Sequence, residues 1–214
     1  MFNLDHLNLK DLNHFVDDPI THISVFAGTF EDAIAAAGPD SFIPMVTYFS
    51  NPSTLEMTIE AIPYSDKDDM YKIMNEMLHF YSASKSHSFI FAFDIRKTTY
   101  NQNNPDSKTA TPTDALSLSF VSEESSGIFT MPYRIVDNKV DWVVSEFELS
   151  NMVEDDPTKK YQGDMVELYY LMTHLEGPLF TVPQLLNYYS YRGYNFMIPN
   201  TTRFNAIKVI KNES

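Results

Sequence analysis

A chain of 214 residues, 43% hydrophobic and 14% aromatic, can bury a sizeable core, which excludes disorder for most of its length. A formal net charge of −14 leaves little basic surface for nucleic acid or anionic membrane. The absence of cysteine excludes disulfides, thiolate nucleophiles, Cys-ligated zinc and Fe–S clusters.

The chain opens on LDHLNLKDLNHFV, residues 4–16, where Leu4, Leu7, Leu12, Phe15 and Val16 stand near helical spacing. Asp17-Asp18-Pro19 reads as the end of that helix. A short helix is expected at 29–37, with Thr29 as N-cap and Gly38-Pro39 as its stop. Residues 42–63 read as a hairpin about the turn Ser50-Asn51-Pro52-Ser53. The clearest helix spans about 66–82. Ser65 or Asp66 caps it, Asp68 and Asp69 complement its dipole, and Met70, Ile73, Met74, Met77, Leu78 and Tyr81 make its apolar stripe.

Four strands are expected next, at 88–98, 114–122, 127–135 and 139–148. The polar loop between the first two, residues 99–113, is long for a compact domain. The others join through turns, so the pattern is an antiparallel meander. Alternation puts Phe89, Phe91, Phe93, Leu116, Leu118, Phe120, Phe129, Met131 and Tyr133 on the face toward the 66–82 helix, with Trp142 and Val144 beside them. A second long helix is expected over 157–176, opened by Asp155-Asp156-Pro157 and stopped by Gly177-Pro178. A shorter helix follows, from Thr181 to about Tyr191, then strands at 194–198 and 203–210.

The fold class these elements imply is α+β. An antiparallel sheet of about five to seven strands packs against the helix at 66–82, with the 157–176 helix on its edge or second face and a mixed C-terminal segment. One domain, 1–214, is expected, with 151–214 as the candidate for a C-terminal subdomain. The start has no apolar signal segment and no run is long enough to span a membrane, which points to a cytoplasmic protein. Lys outnumbers Arg 11 to 4, a usage common in AT-rich genomes such as those of many phages and marine bacteria. A virion-associated protein is then the other expected setting.

Motifs with chemistry are few. Glu76-Met-Leu-His79 matches half of a di-iron site, but there is no second Glu-x-x-His and both residues lie off the apolar stripe. Glu167 and His174 share a helix face, two turns apart and too far for direct pairing. Asp66, Asp68 and Asp69, and Glu154, Asp155 and Asp156, stand at helix starts, where acids serve the dipole, and neither group has an EF-hand pattern. Gly-x-Ser-x-Gly, Walker A, Gly-x-Gly-x-x-Gly and His-Glu-x-x-His are all missing, so no metal and no cofactor is expected.

Two groups of residues remain. On the expected outer face of the meander Asp94, Arg96, Ser117, Ser119, Thr130 and Arg134 come together, joined by Glu146 in one register. Such a face suits a small anion or a peptide, and Asp94 and Arg96 are placed to pair along it. The segment NYYSYRGYNF, with Tyr188, Tyr189, Tyr191, Arg192 and Tyr194, suits an interface. The expected function is therefore a non-enzymatic interaction or assembly protein acting as a homo-oligomer, a two-fold dimer first, with another protein as the alternative partner. A small-molecule enzyme of hydrolase type is the second reading, with its site on the polar sheet face or under the 99–113 loop.

Overall fold

The computed structural model describes residues 2–63, 67–98, 112–122, 125–151 and 180–199. The protein is α+β: among the described residues eight antiparallel strands form one sheet, with helices on both faces. The strands are β1 (Met45–Asn51), β2 (Thr54–Glu60), β3 (Ser88–Thr98), β4 (Pro112–Ser122), β5 (Ser126–Val136), β6 (Lys139–Trp142), β7 (Glu148–Asn151) and β8 (Asn195–Met197). Their order across the sheet is β6-β5-β4-β3-β1-β2-β8, and β7 also pairs with β5. The helices among the described residues are α1 (Pro19–Ala37), α2 (Lys67–Ser84) and α3 (Val182–Ser190). No helix among the described residues is long and apolar enough to cross a membrane.

The N-terminal segment departs from the expected pattern. Residues 4–16 hold only a 3-10 turn, Leu9–Leu12, and α1 begins where a helix was expected to end. Asp18 is the N-cap of α1, accepting from the Thr21 N–H at 3.1 Å, and Pro19 occupies the first turn. An acid followed by proline stops one helix or starts the next, and here it starts one. Thr29 is no cap: its hydroxyl donates to the Val25 carbonyl one turn back, at 3.0 Å. The apolar residues of the opening segment still reach the core, since Leu4, Leu12, Phe15 and Val16 are buried.

The meander has two covered faces, and this redistributes the expected core. Register pairs Phe91 with Ser119 and Phe93 with Ser117, so Ser117 and Ser119 share the α2 side with Phe89, Phe91 and Phe93. Leu116, Leu118, Phe120, Phe129, Met131 and Tyr133 lie on the opposite side, in a core with Phe26, Phe30 and Ile34 of α1. The α2 core gathers Ile73, Met74, Met77, Leu78, Phe80, Phe89, Phe91 and Phe93, and α3 adds Leu185, Leu186 and Tyr189. A strand buried on both faces loses the alternation that separates inside from outside, so side could not be assigned from pattern alone.

The expected strand 139–148 is two short strands on one edge of β5. β6 pairs with Tyr133–Val136 and β7 with Gly127–Thr130. Between them a 3-10 turn, Val144–Glu146, lifts the chain off the ladder. Pro132 explains the break. Its carbonyl accepts from Val143 N–H at 2.9 Å, so its ring nitrogen faces the same edge, and that nitrogen has no proton to donate. The detour turns Phe147 inward against Phe129 and Trp142. The expected helix at 157–176, with Glu167 and His174, the strand at 203–210, and residues 99–111 of the polar loop lie outside the described residues. Thr113, expected in that loop, belongs to β4.

Candidate functional site

The sequence-derived sheet-face group does not assemble. Alternation along β3, and the pairing of Asp94 with Leu116, put Asp94 on the α1 side. Ser117, Ser119, Thr130 and Arg134 belong to the other. Ser117 and Ser119 are fully buried, and neither hydroxyl has a hydrogen-bond partner. Arg134 is exposed at a register position opposite Asp141. Glu146 sits in the 3-10 turn. Arg96 pairs in register with Asp114, and its side chain lies outside the described residues.

The tyrosine segment divides in the same way. Tyr189 and Tyr194 are core residues, 4% and 3% exposed, which removes them from any surface contact. Tyr188 and Tyr191 face solvent, at 58% and 89%. Arg192 pairs with Glu76 and lies over the Tyr188 and Tyr189 rings at 5.8 and 5.7 Å. The Tyr194 hydroxyl also donates to Glu76. Burial, then the charge of Glu76, push the Tyr189 phenol up to about 12. Glu76 therefore ties α2 to the turn between α3 and β8, and His79, its Glu-x-x-His partner, packs edge-on to Phe180.

Asp94 instead opens onto a cleft of about 450 Å³, lined by Asp40, Phe42, Pro44, Pro63, Asp94, Ile95 and Asp114. Four elements build it. Asp40 comes from the turn after α1, Asp94 from β3, Asp114 from β4, and Tyr133 of β5 supports it from the core. The turn is tight: Gly38 has φ of 90° and Asp40 of 64°, both left-handed. Asp is among the few side chains that accept that region. The Tyr133 hydroxyl donates to both Asp94 carboxylate oxygens, at 3.0 Å each. Burial, with smaller contributions from the charges of Asp114 and Asp40, raises the Asp94 pKa to about 6 against the opposing pull of the Tyr133 and backbone hydrogen bonds. Tyr133 is raised too, by its burial and by the neighbouring carboxylate.

Sequence reasoning missed Asp40 and Asp114 and placed Tyr133 in the core without its polar end. The one signal for Asp114 was the β3–β4 register, which sets it opposite Arg96. Asp40 carried none, because only packing of the α1 turn brings it to the sheet.

A second polar group lies at the far end of the sheet. His14 Nε2 is hydrogen-bonded to Ser125 Oγ, and His87 Nε2 meets the His14 carbonyl oxygen at 2.7 Å. Ser88 Oγ donates to the Phe15 carbonyl at 2.6 Å. These bonds moor the N-terminal segment to β3 and to the β4–β5 turn. The His14–Ser125 pair is exposed and serves that mooring. No group of three or more potential metal-binding side chains occurs among the described residues.

No known protein family, curated protein or solved structure matches this chain.

Proposed function

We propose that the protein is a non-enzymatic interaction and assembly protein that acts as a two-fold dimer through the outer side of α3. The observation that carries this reading is the pair of exposed rings, Tyr188 and Tyr191, on a chain of net charge −14. A second copy is repelled by most of so acidic a surface. Beside these two rings Arg192 is already paired with Glu76 and stacks over Tyr188, so the rings themselves are what the patch offers to a second copy. Tyrosines bury large area at small entropy cost, and two-fold contact brings the same patch of both copies together. Sedimentation across a wide concentration range tests the reading. A dimer that Tyr188→Ser with Tyr191→Ser converts to monomer supports it. A monomer at every concentration overturns the dimer.

The small-molecule reading is favoured by one observation, the Asp40/Asp94/Asp114 cleft. Its volume is within the range of ligand pockets, and Asp94 presents acid and base forms near neutrality. Fragment screening by NMR tests it: shifts concentrated at residues 40–44, 94 and 114 support a ligand site, and none at those positions sinks it.

A further inference from the structure

We infer that the dimer forms by α3 of one copy lying antiparallel on α3 of the other, with the two-fold axis passing beside Asn187. This pairing rests on the dimer reading above and gives it a geometry.

Helical spacing sets the solvent face of α3. Pro183, Gln184, Asn187, Tyr188 and Tyr191 are exposed and recur every three or four residues, while Val182, Leu185, Leu186 and Tyr189 fill the core. Tyr191 follows the last helical residue with φ −63° and ψ −24°, so it continues the same face. None of the exposed residues carries a charge, on a chain of net charge −14. The other helices differ: Glu31 and Asp32 are exposed on α1, and Asp69 and Lys72 stand out from α2. A second copy can therefore approach α3 without setting carboxylate against carboxylate.

The two ends of this face are unlike, and that selects the orientation. Pro183 stands at its N-terminal end and Tyr191, almost wholly in water, at its C-terminal end. A two-fold axis across the helix brings Tyr191 against Pro183 of the other copy, and proline rings dock well on aromatic ones. Asn187, midway, then meets its own counterpart, and a side-chain amide both donates and accepts. Gln184 is committed to the helix cap, its side-chain oxygen accepting from Thr181 N–H and Thr181 Oγ at 2.9 Å each, so Asn187 supplies the amide at the crossing. Tyr188 flanks the crossing, with the Arg192 guanidinium that Glu76 holds lying over its ring. Opposite ends of the two helix dipoles also come together. An axis along the helix would instead set like end beside like end. The face is about 13 Å long, which is small for an interface, so association is weak.

The chain has no cysteine, so single introduced thiols report single contacts. Asn187→Cys and Pro183→Cys change exposed positions and keep both tyrosines. A disulfide joins only Cα atoms within about 7 Å. Where sedimentation shows dimer, Asn187→Cys should therefore oxidise to a covalent dimer. Pro183→Cys should not, since antiparallel pairing displaces it from its own counterpart by about 12 Å along the helix. A nitroxide on Pro183→Cys, mixed with isotope-labelled wild type, should broaden the amides of residues 190–192 and spare 182–184. Broadening at 182–184 would show parallel helices and overturn the pairing while the dimer stands. Broadening nowhere on α3, or an Asn187→Cys dimer that never links, overturns it in the same way. A wild type that is monomeric at every concentration removes the dimer itself, and the pairing with it.

Discussion

Phe91→Ala removes a ring from the centre of the α2 core, and the structure sets the size of the effect. Phe91 is 2% exposed, pairs in register with Val46 and stacks on Phe93 at 4.9 Å. With Met74, Met77, Leu78, Tyr48 and Phe89 it already encloses a void of about 10 Å³, too small and apolar for water. Deleting a buried Phe costs about 3–5 kcal/mol, and the lost ring pair falls within that figure. The two methionines can swing into part of the space, which favours the lower half, about 3–4 kcal/mol. Against a usual domain stability of about 5–15 kcal/mol, the variant should fold but be marginal. Urea unfolding should be followed by far-UV dichroism and by Trp142 emission. Trp142 packs on the α1 side of the sheet, so coincident transitions would show that the two cores unfold together. A loss below about 1 kcal/mol at unchanged m-value would refute the packing argument.

Other outcomes follow from single groups. Ser119→Ala should raise stability by about 1–2 kcal/mol, because its buried hydroxyl has no partner and the methyl needs none; a loss would reveal a bond to that oxygen. Asp94 is raised in the fold, so it binds its proton more tightly folded than unfolded, and its contribution is full below pH 3.8 and lost as pH rises through about 6. Discounted for its partial exposure, that loss is about 1–2 kcal/mol, and Asp94→Asn should flatten the stability profile over this window. His22 has the opposite sign: burial against Phe49 lowers its pKa, so stability falls as pH drops below 6.5, and His22→Gln should remove that slope in pH-resolved melting curves. Asp18→Ala should lower the melting temperature by freeing the first turn of α1, and Asp18→Ser should restore most of it.

Much of the fold was legible because local physics fixed it. The β1–β2 hairpin follows from a Pro-Ser turn between two alternating runs, and α2 from an apolar stripe at helical spacing. The ends of β3 match the apolar run from Ser88 to Thr98. At Asp17-Asp18-Pro19 local physics was ambiguous, since the same residues suit either side of a helix boundary. At Pro132 the signal was present but belonged to the neighbouring strand. A missing donor on β5 broke the partner on its edge, and that partnership is not written in residues 139–148 themselves.

The site shows the same division. Asp94 was placed by the sequence in a polar group on the sheet, and it lines the cleft. Its expected companions Ser117 and Ser119 went to the other face, because a one-residue change of register exchanges the faces of a strand. Its actual companions Asp40, Asp114 and Tyr133 come from three other places in the chain. Composition, turns and periodicity, which act between residues a few positions apart, determined the elements, the class and the acidity of this protein. Which face each strand shows, which tyrosines stay outside, and which carboxylates meet at one cleft were decided by the packing of α1 and α2 on opposite sides of one sheet. Those contacts join residues distant in sequence, and only their combined burial selects among registers that local preference leaves nearly equal.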